Sequence, residues 1–388
     1  MKNGWQVRPL GELCDVLDHK RQPITKRHRV AGAYPYYGAT GILDHVAGYL
    51  FDEDLVLVGE DGAKWATGEN TAFAVQGKCW VNNHAHVLRP HRDAVLDKWL
   101  IYFLRHADLT EYVSGLTVPK LNQGNLREIP IPLPHLSEQQ RILRIVDEAS
   151  DGIATVGANT EANLRNARAL FESHLELIFT QRGMGWVVNR LKSVTTKIGS
   201  GATPRGGGTS YKTKGTSLIR SLNVHDLGFK YAKLAFLDGA QADALANVEV
   251  LPRDVLLNIT GASVARCCNV PEDVLPARVN QHVAIIRPMA DKLDSAFLHY
   301  LLISKPYKDQ LLQTGEEGGS TRQAITRAQL REFSVEAPAA VKEQQSIVAK
   351  LDAMLAETKR LASLYEQKLR ALEALTRSLL FEAFTGKL

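Results

Sequence analysis

The chain has 388 residues, 45% hydrophobic and 23% charged, enough for two or three domains that each bury a core. No apolar run reaches membrane-span length, and the N-terminus lacks a signal peptide's apolar stretch, so a cytoplasmic protein is expected. The net charge of +5 is mild, and Cys14, Cys79, Cys267 and Cys268 show no Cys-x-x-Cys spacing, which favours structural thiols over a zinc site.

In chain order, residues 1–137 read as a globular domain rich in Gly, β-branched and aromatic residues. Leu55-Val-Leu-Val58 predicts a strand and Leu96–His106 a short helix. Residues 19–30 carry five Lys/Arg (among them Lys20, Arg21, Lys26 and Arg27), two His and no acid, a plausible phosphate footprint. Residues 138–185 form a charged, Leu/Ala-rich run, predicted to be a first spacer helix. Its apolar seam would use Ile142, Val146, Ala149, Ile153, Val156, Thr160, Asn163, Ala167, Leu170 and His174. Gly152 and Gly157 each weaken that helix by roughly 1 kcal/mol relative to Ala. Residues 186–342 read as a second globular domain. It has strands at Asp254-Val-Leu-Leu257 and Val283-Ala-Ile-Ile286, a helical pattern over Ser295–Gln313 and a basic stretch over residues 197–230. Residues 343–388 are the second helix, with a stronger seam at Ile347, Leu351, Met354, Thr358, Leu361, Tyr365, Lys368, Leu372, Leu375 and Leu379.

The two halves repeat one another. Glu138-Gln139-Gln140-Arg-Ile142 returns as Glu343-Gln344-Gln345-Ser-Ile347, Trp5…Leu10 as Trp186…Leu191, and Val81-Asn-Asn-His84 as Val279-Asn-Gln-His282. A period near 200 residues is too long for a solenoid, so a whole domain plus a helix is duplicated. The expected fold is α+β: two mixed α/β domains and two long antiparallel helices paired as a coiled coil, with a pseudo-twofold repeat.

Motifs for chemistry are missing. There is no Pro-Pro, which an amino-methyltransferase motif needs, and no Gly-x-x-x-x-Gly-Lys-Ser/Thr phosphate loop. A metal-dependent endonuclease using Glu60 and Asp61 stays open as an alternative, although the second copy keeps only the equivalent of Asp54. A tether whose two domains bind proteins is another. What remains is a binding inventory. The first domain offers Tyr36, Tyr37, Lys64, Trp65, Asn82, Asn83 and His84. The second offers Thr203, Arg205, Tyr211, Lys212, Arg220, Asn223, Asn258, Arg266, Asn280, Gln281 and His282. Amides, imidazoles and cations of this kind reach base edges and phosphates.

On Tyr36-Tyr-Gly-Ala-Thr-Gly-Ile42, Gly59-Glu-Asp-Gly62, Gly201-Ala-Thr-Pro204, Asn258-Ile-Thr-Gly-Ala262 and the two Glu-Gln-Gln helix starts, the sequence resembles the specificity subunit of a Type I restriction–modification system. The resemblance covers nearly the whole chain. It implies two target-recognition domains, each reading half of a bipartite double-stranded DNA site, with the helices setting the gap. It also implies that this chain is non-catalytic and carries no cofactor. Two methyltransferase subunits would bring S-adenosylmethionine, and nuclease/translocase subunits would use ATP and Mg²⁺. A methylation-only system is the close alternative. Gln139, Gln140, Ile142, Val146, Gln344, Gln345, Ile347, Leu351, Leu361 and Leu372 would serve the helices and their partners. One departure is visible: Pro134 is followed by a single residue before Leu136, whereas Pro338 is followed by Ala339-Ala340, which predicts a looser second linker.

Overall fold

The computed structural model describes residues 4–115, 117–183, 185–204, 206–316 and 324–388. Two compact units emerge, one of residues 1–162 with 365–388, the other of residues 163–364.

In the first unit, a four-stranded antiparallel sheet runs in the order Cys14–Val16, Ala85–Pro90, Leu55–Gly59, Ala72–Val75. A second sheet runs Gly41–Val46, Ala31–Gly38, Lys78–Val81, Phe51–Asp52, with its central pair parallel. The strand Leu55–Gly59 is buried along its length, which explains why its sequence is a continuous apolar run and not an alternating one. Helix α1 (Asp97–His106) buries Trp99, Leu100 and Leu104 against one face of the antiparallel sheet. Helix α2 (Gln123–Glu128) is capped by Asn122, whose side chain accepts the Asn125 N–H. A two-stranded ribbon pairs Gln6–Pro9 with Pro130–Leu133, and α3 (Leu136–Thr180) follows at once.

The second unit repeats the plan. Its antiparallel sheet runs Thr195–Ser200, Val283–Pro288, Val255–Asn258, Cys267–Asn269. Its mixed sheet runs Ala235–Leu237, Thr216–Ile219, Ala277–Val279, Glu249–Val250, again with the central pair parallel. The helices are α4 (Leu191–Val194), α5 (Gly239–Ala244), α6 (Ser295–Ile303), α7 (Lys305–Glu316), α8 (Arg327–Glu332) and α9 (Val341–Thr385). Thr326 caps α8 as Asn122 caps α2, and the ribbon pairs Trp186–Arg190 with Ser334–Pro338.

Each domain grips the start of one long helix through a buried glutamine. Gln139 Oε1 accepts the Leu96 N–H at 3.0 Å while its amide donates to Ala94 O and Pro134 O, both at 2.9 Å. Gln344 does the same with Asp294 N, Lys292 O and Pro338 O at 2.8, 3.0 and 2.8 Å. The second linker is one residue longer, yet the same clamp holds it, so it is not looser. Tyr102 donates to Asp147 at 2.6 Å and Tyr300 to Asp352 at 2.5 Å. Gln140 and Gln345 are exposed one residue along from these clamps.

Each domain also holds the end of the other helix. In the first unit Phe384 packs edge-on against Trp99 at 4.8 Å, and Arg141 donates to Leu388 O at 2.7 Å. In the second, Phe179 meets Phe297 at 5.5 Å and shares a core with Val348 and Leu351. The start of each helix therefore lies beside the end of the other, and they run antiparallel. Each is 45 residues, roughly 67 Å at 1.5 Å per residue.

The seam of α9 follows the expected positions from Ile347 to Tyr365 and again at Leu372 and Leu379, but Lys368 and Leu375 face solvent. In α3 the phase slips after Ile153. Val156, Asn163 and Leu170 are exposed, while Gly157, Leu164 and Phe171 turn inward. The steps from Ile153 run 4, 3, 4 and not 3, 4, 3, and α3 passes both glycines without interruption. All four cysteines are free and buried, and burial pushes the thiols of Cys14, Cys79 and Cys268 up to about 12, so they are packing groups and poor nucleophiles.

Candidate functional site

In each domain the central strand of the mixed sheet ends in a turn locked by an asparagine. Asn82, 3% exposed, accepts the His84 N–H at 2.8 Å; Asn280, 5% exposed, accepts the His282 N–H at 3.1 Å. These two asparagines are scaffold, which corrects their reading as DNA contacts. What the turns present are Asn83 and His84 in one domain and Gln281 and His282 in the other. The frame beneath is the same. Glu60 N donates to His84 O at 2.9 Å and Ile259 N to His282 O at 3.0 Å; Leu121 N and Ile325 N reach the carbonyls of Glu60 and Ile259, each at 2.8 Å. The side chains above it differ. His84 Nδ1 pairs with Asp61, and His282 Nδ1 meets Thr260 Oγ1 at 2.5 Å.

The first domain's basic segment is pinned beside its turn. Trp80 Nε1 donates to Gln22 O at 2.6 Å, Gln22 N to Val81 O at 3.2 Å, and Ile24 N to the Tyr36 hydroxyl at 2.9 Å. Lys20, Lys26 and Arg27 stand exposed on it and form no ion pair among the described residues. Arg21 does not join them. Its guanidinium turns inward to Glu60, donates to Ala85 O at 2.8 Å and lies 3.4 Å from Asp18. Tyr36, 1% exposed, is core beneath the Arg29 guanidinium at 4.4 Å, and Tyr37 lies half-buried 5.9 Å from Phe73. Trp65, 7% exposed, donates to Gly59 O at 3.1 Å, so it too is scaffold; Lys64 is exposed, 3.7 Å from Glu69.

Asp18, Glu60 and His86 present ligand atoms within 4.8 Å of one another, a set of the kind a metal uses. Here each is already engaged. Glu60 faces Arg21 on one oxygen and Lys120, at 2.6 Å, on the other. His86, fully buried, has Asp18 Oδ2 at 2.6 Å and Leu121 O at 2.7 Å on its two ring nitrogens. Burial opposes ionisation of both carboxyls, but the hydrogen bonds of His86 and Val87 to Asp18, and of Lys120 and Arg21 to Glu60, outweigh it and hold both below the usual range. A metal would have to displace two cations, and Asp61 is turned away to His84. The network reads as structural, which weakens the endonuclease alternative.

In the second domain, Gly201 N donates to Asn280 O at 3.1 Å, and a Cβ at Gly201 would come within 1.8 Å of Val279 O. Only glycine fits that crossing, and it delivers Thr203 to a hydrogen bond with Gln281. Asn223, fully buried, ties its own loop by accepting the Arg220 N–H at 3.1 Å and donating to Lys230 O at 2.8 Å. Asn258 donates to Ser221 O at 2.9 Å and Ser263 at 3.2 Å, joining three loops at the turn. Both asparagines are thus scaffold. Arg220 lies 5.1 Å over the Tyr211 ring and donates to Lys233 O; its Nε and Asn258 Oδ1 are buried without a protein partner. Lys212 pairs with Asp238 at 3.2 Å, and Arg266 is half-exposed. Arg205 lies outside the described residues.

The charged network and the Tyr–Asp locks were not foreseen. Asp147 and Asp352 each stand nine residues after the Glu that opens a repeated Glu-Gln-Gln start, a signal available in the sequence, and Tyr102 and Tyr300 each take the sixth place of α1 and α6. Nothing in the spacing tied Asp18 to His86 across 68 positions.

Among the described residues, no helix is long and apolar enough to cross a membrane. Residues 2–163 and 185–367 match the family of the Type I restriction modification DNA specificity domain. A putative type I restriction enzyme specificity subunit of Haemophilus influenzae is 36% identical over 140 residues, 36% of each chain. The putative MjaX specificity subunit of Methanocaldococcus jannaschii is 24% identical over 92% of this chain and 88% of its own. The fold matches a chain from a study of type I R-M complex assembly and conformational transition, with a TM-score of 0.76 at 20% identity over 100% of this chain and 99% of that one. It also matches the HsdS subunit from Thermoanaerobacter tengcongensis, with a TM-score of 0.58 at 20% identity over 100% and 98%. With the family matched twice, once on each copy of a duplicated fold, the chain belongs to the Type I restriction–modification specificity subunits.

Proposed function

We propose that this chain is the non-catalytic DNA reader of a Type I complex, each domain recognising one half of a bipartite duplex site. One observation carries the reading: two frames alike in their backbone hydrogen bonds present different side chains, Asn83–His84 beside Asp61 and Gln281–His282 beside Thr260 and Thr203. A scaffold duplicated with its tips changed suits two readers of unlike sequences. The tips carry amide and imidazole groups that can both donate and accept hydrogen bonds, as base edges require. Lys20, Lys26 and Arg27 supply phosphate contacts nearby, which position the chain without reading sequence.

The helices dock two methyltransferase subunits, which bring S-adenosylmethionine, and through them the ATP- and Mg²⁺-dependent nuclease/translocase. Exposed Gln140 and Gln345, next to the buried clamps, sit at matching places to meet matching partners. The test is binding of the chain with its methyltransferase subunits to a duplex library randomised in sequence and spacing. Selection of one bipartite site supports the reading; selection of a single continuous site, or of none, contradicts it.

A further inference from the structure

The second domain carries a cleft of about 410 Å³ between the strand Thr195–Ser200 and helix α8, remote in sequence from the Gln281–His282 turn. Lys192, Lys197, Arg327 and Arg331 line it, and no acid does. Lys197 is held in place by donating to Asn247 O at 2.6 Å. Lys192 is shared with Glu332 at 2.6 Å, which lies outside the lining. Arg327 and Arg331 are exposed and form no ion pair among the described residues. The floor is open at Gly199, where a Cβ would meet nothing within 4 Å.

The repeat supplies an internal control. Lys197 stands opposite Arg287 as Asp15 stands opposite Arg89. Leu191 N donates to Phe333 O as Leu10 N donates to Ile129 O, which sets Lys192 against Gly11. Arg327 and Arg331 take the first and fifth places of α8, as Gln123 and Arg127 do in α2. The first domain therefore has Gly11, Asp15, Gln123 and Arg127 where the second has four cations. It also fills the space: a Cβ at Gly11 would come 2.9 Å from Arg127 Cβ, Asp15 pairs with His91 at 3.1 Å, and Gln123 donates to Asp18 at 3.3 Å. The shared frame does not need this charge, so it serves something outside the fold.

The geometry points to a backbone-phosphate clamp, present in the second domain and absent from the first, that takes a phosphodiester flanking the half-site the second domain reads. This rests on the proposed DNA-reading function. Two paths of chain join the cleft to the reading edge. Ser200 on its wall precedes Thr203 by three residues, about 10 Å of extended chain, which spans about three phosphates of one strand at 3.4 Å each along the axis. Arg327 follows Ile325, whose N–H is bound to Ile259 O beneath the turn. Cations there would fix register and share the load of non-specific affinity, while leaving base choice to the turn.

The experiment is the salt dependence of duplex binding by the chain assembled with its methyltransferase subunits. It compares wild type, Arg327→Gln/Arg331→Gln, and the reciprocal first-domain variant Asp15→Lys/Gln123→Arg. All four positions are at the surface, and thermal unfolding checks that the variants fold. The clamp predicts that the first variant loses about two from the slope of log K against log[salt], roughly one per phosphate contact, and weakens on cognate and scrambled duplex alike. The reciprocal variant gains slope. An unchanged slope in Arg327→Gln/Arg331→Gln, with wild type still selecting its site, overturns the clamp. So does stabilisation of wild type but not the variant by inorganic phosphate with duplex binding untouched, which would assign the cleft to a free anion. A wild type with no site selectivity would instead remove the DNA-reading function on which the clamp rests.

Discussion

The two recognition domains solve one geometric problem with opposite chemistry. In the first, the space under the turn is filled by Asp18, Glu60, His86 and Lys120, a closed set of ionisable groups. Matching the strand registers, with Gly59 opposite Ala85 and Asn258 opposite Val283, puts Ser200, Ile259, Ala284 and Ala324 at those places in the second. None of these can ionise. At the outer cleft the contrast reverses: the second domain is cationic and the first is not. Because the frame is held by backbone hydrogen bonds, the side chains beneath and beside it are free to differ. That freedom is what two readers of different sequences need.

The largest effect should fall on what the domains share. Gln139→Ala and Gln344→Ala each strand three buried or partly buried backbone groups and leave a cavity, at about 3–5 kcal/mol per variant. Denaturant unfolding should give the two similar losses, and a loss confined to one would show that the clamps are not equivalent.

The next effect should separate them. Glu60→Gln removes the nearer of the two carboxylates facing Arg21 and leaves it only Asp18 at 3.4 Å, and Lys120, itself half-exposed, loses less; the sum is about 2–3 kcal/mol. Hydrogen exchange should loosen the first domain and leave the second unchanged.

A weaker version of the same contrast comes from pH. Asp18 and Glu60 have folded-state values below the ordinary 3.8 and 4.5. Their stabilisation is full above those ordinary values and is lost as pH falls through the lowered ones. The first domain should therefore open earlier than the second on acidification below about 4.5, as read by hydrogen exchange in each domain. Parallel loss in both would show that this network does not set acid stability.

The sequence revealed the duplication, the long helices and the strands, because hydrophobic period and the Glu-Gln-Gln repeat are local signals. It misled at polar residues. Asn82, Asn223, Asn258 and Asn280 look like readout groups in a list of side chains, yet burial turns them into locks for loops. Arg21 sits among free cations in sequence but folds inward, because Glu60 arrives beside it from 39 residues away. The slip in the α3 seam was equally hidden. Apolar Val156 and Leu170 fit the expected phase but face outward, while Gly157, which carries no hydropathy signal, turns in.

If the domains read separate halves of one site, each exposed tip acts on its own half. Asn83 and Gln281 are exposed at equivalent turns, so neither Asn83→Ala nor Gln281→Ala should cost folding stability. Where such a side chain contacts a base, its loss costs about 1–3 kcal/mol of discrimination at that position. The direct measurement is long-read methylation sequencing of genomes in cells carrying wild type or either variant with the partner subunits. Asn83→Ala should relax bases in one half of the methylated site and Gln281→Ala bases in the other, with spacing unchanged. Relaxation of the same bases by both variants would contradict it.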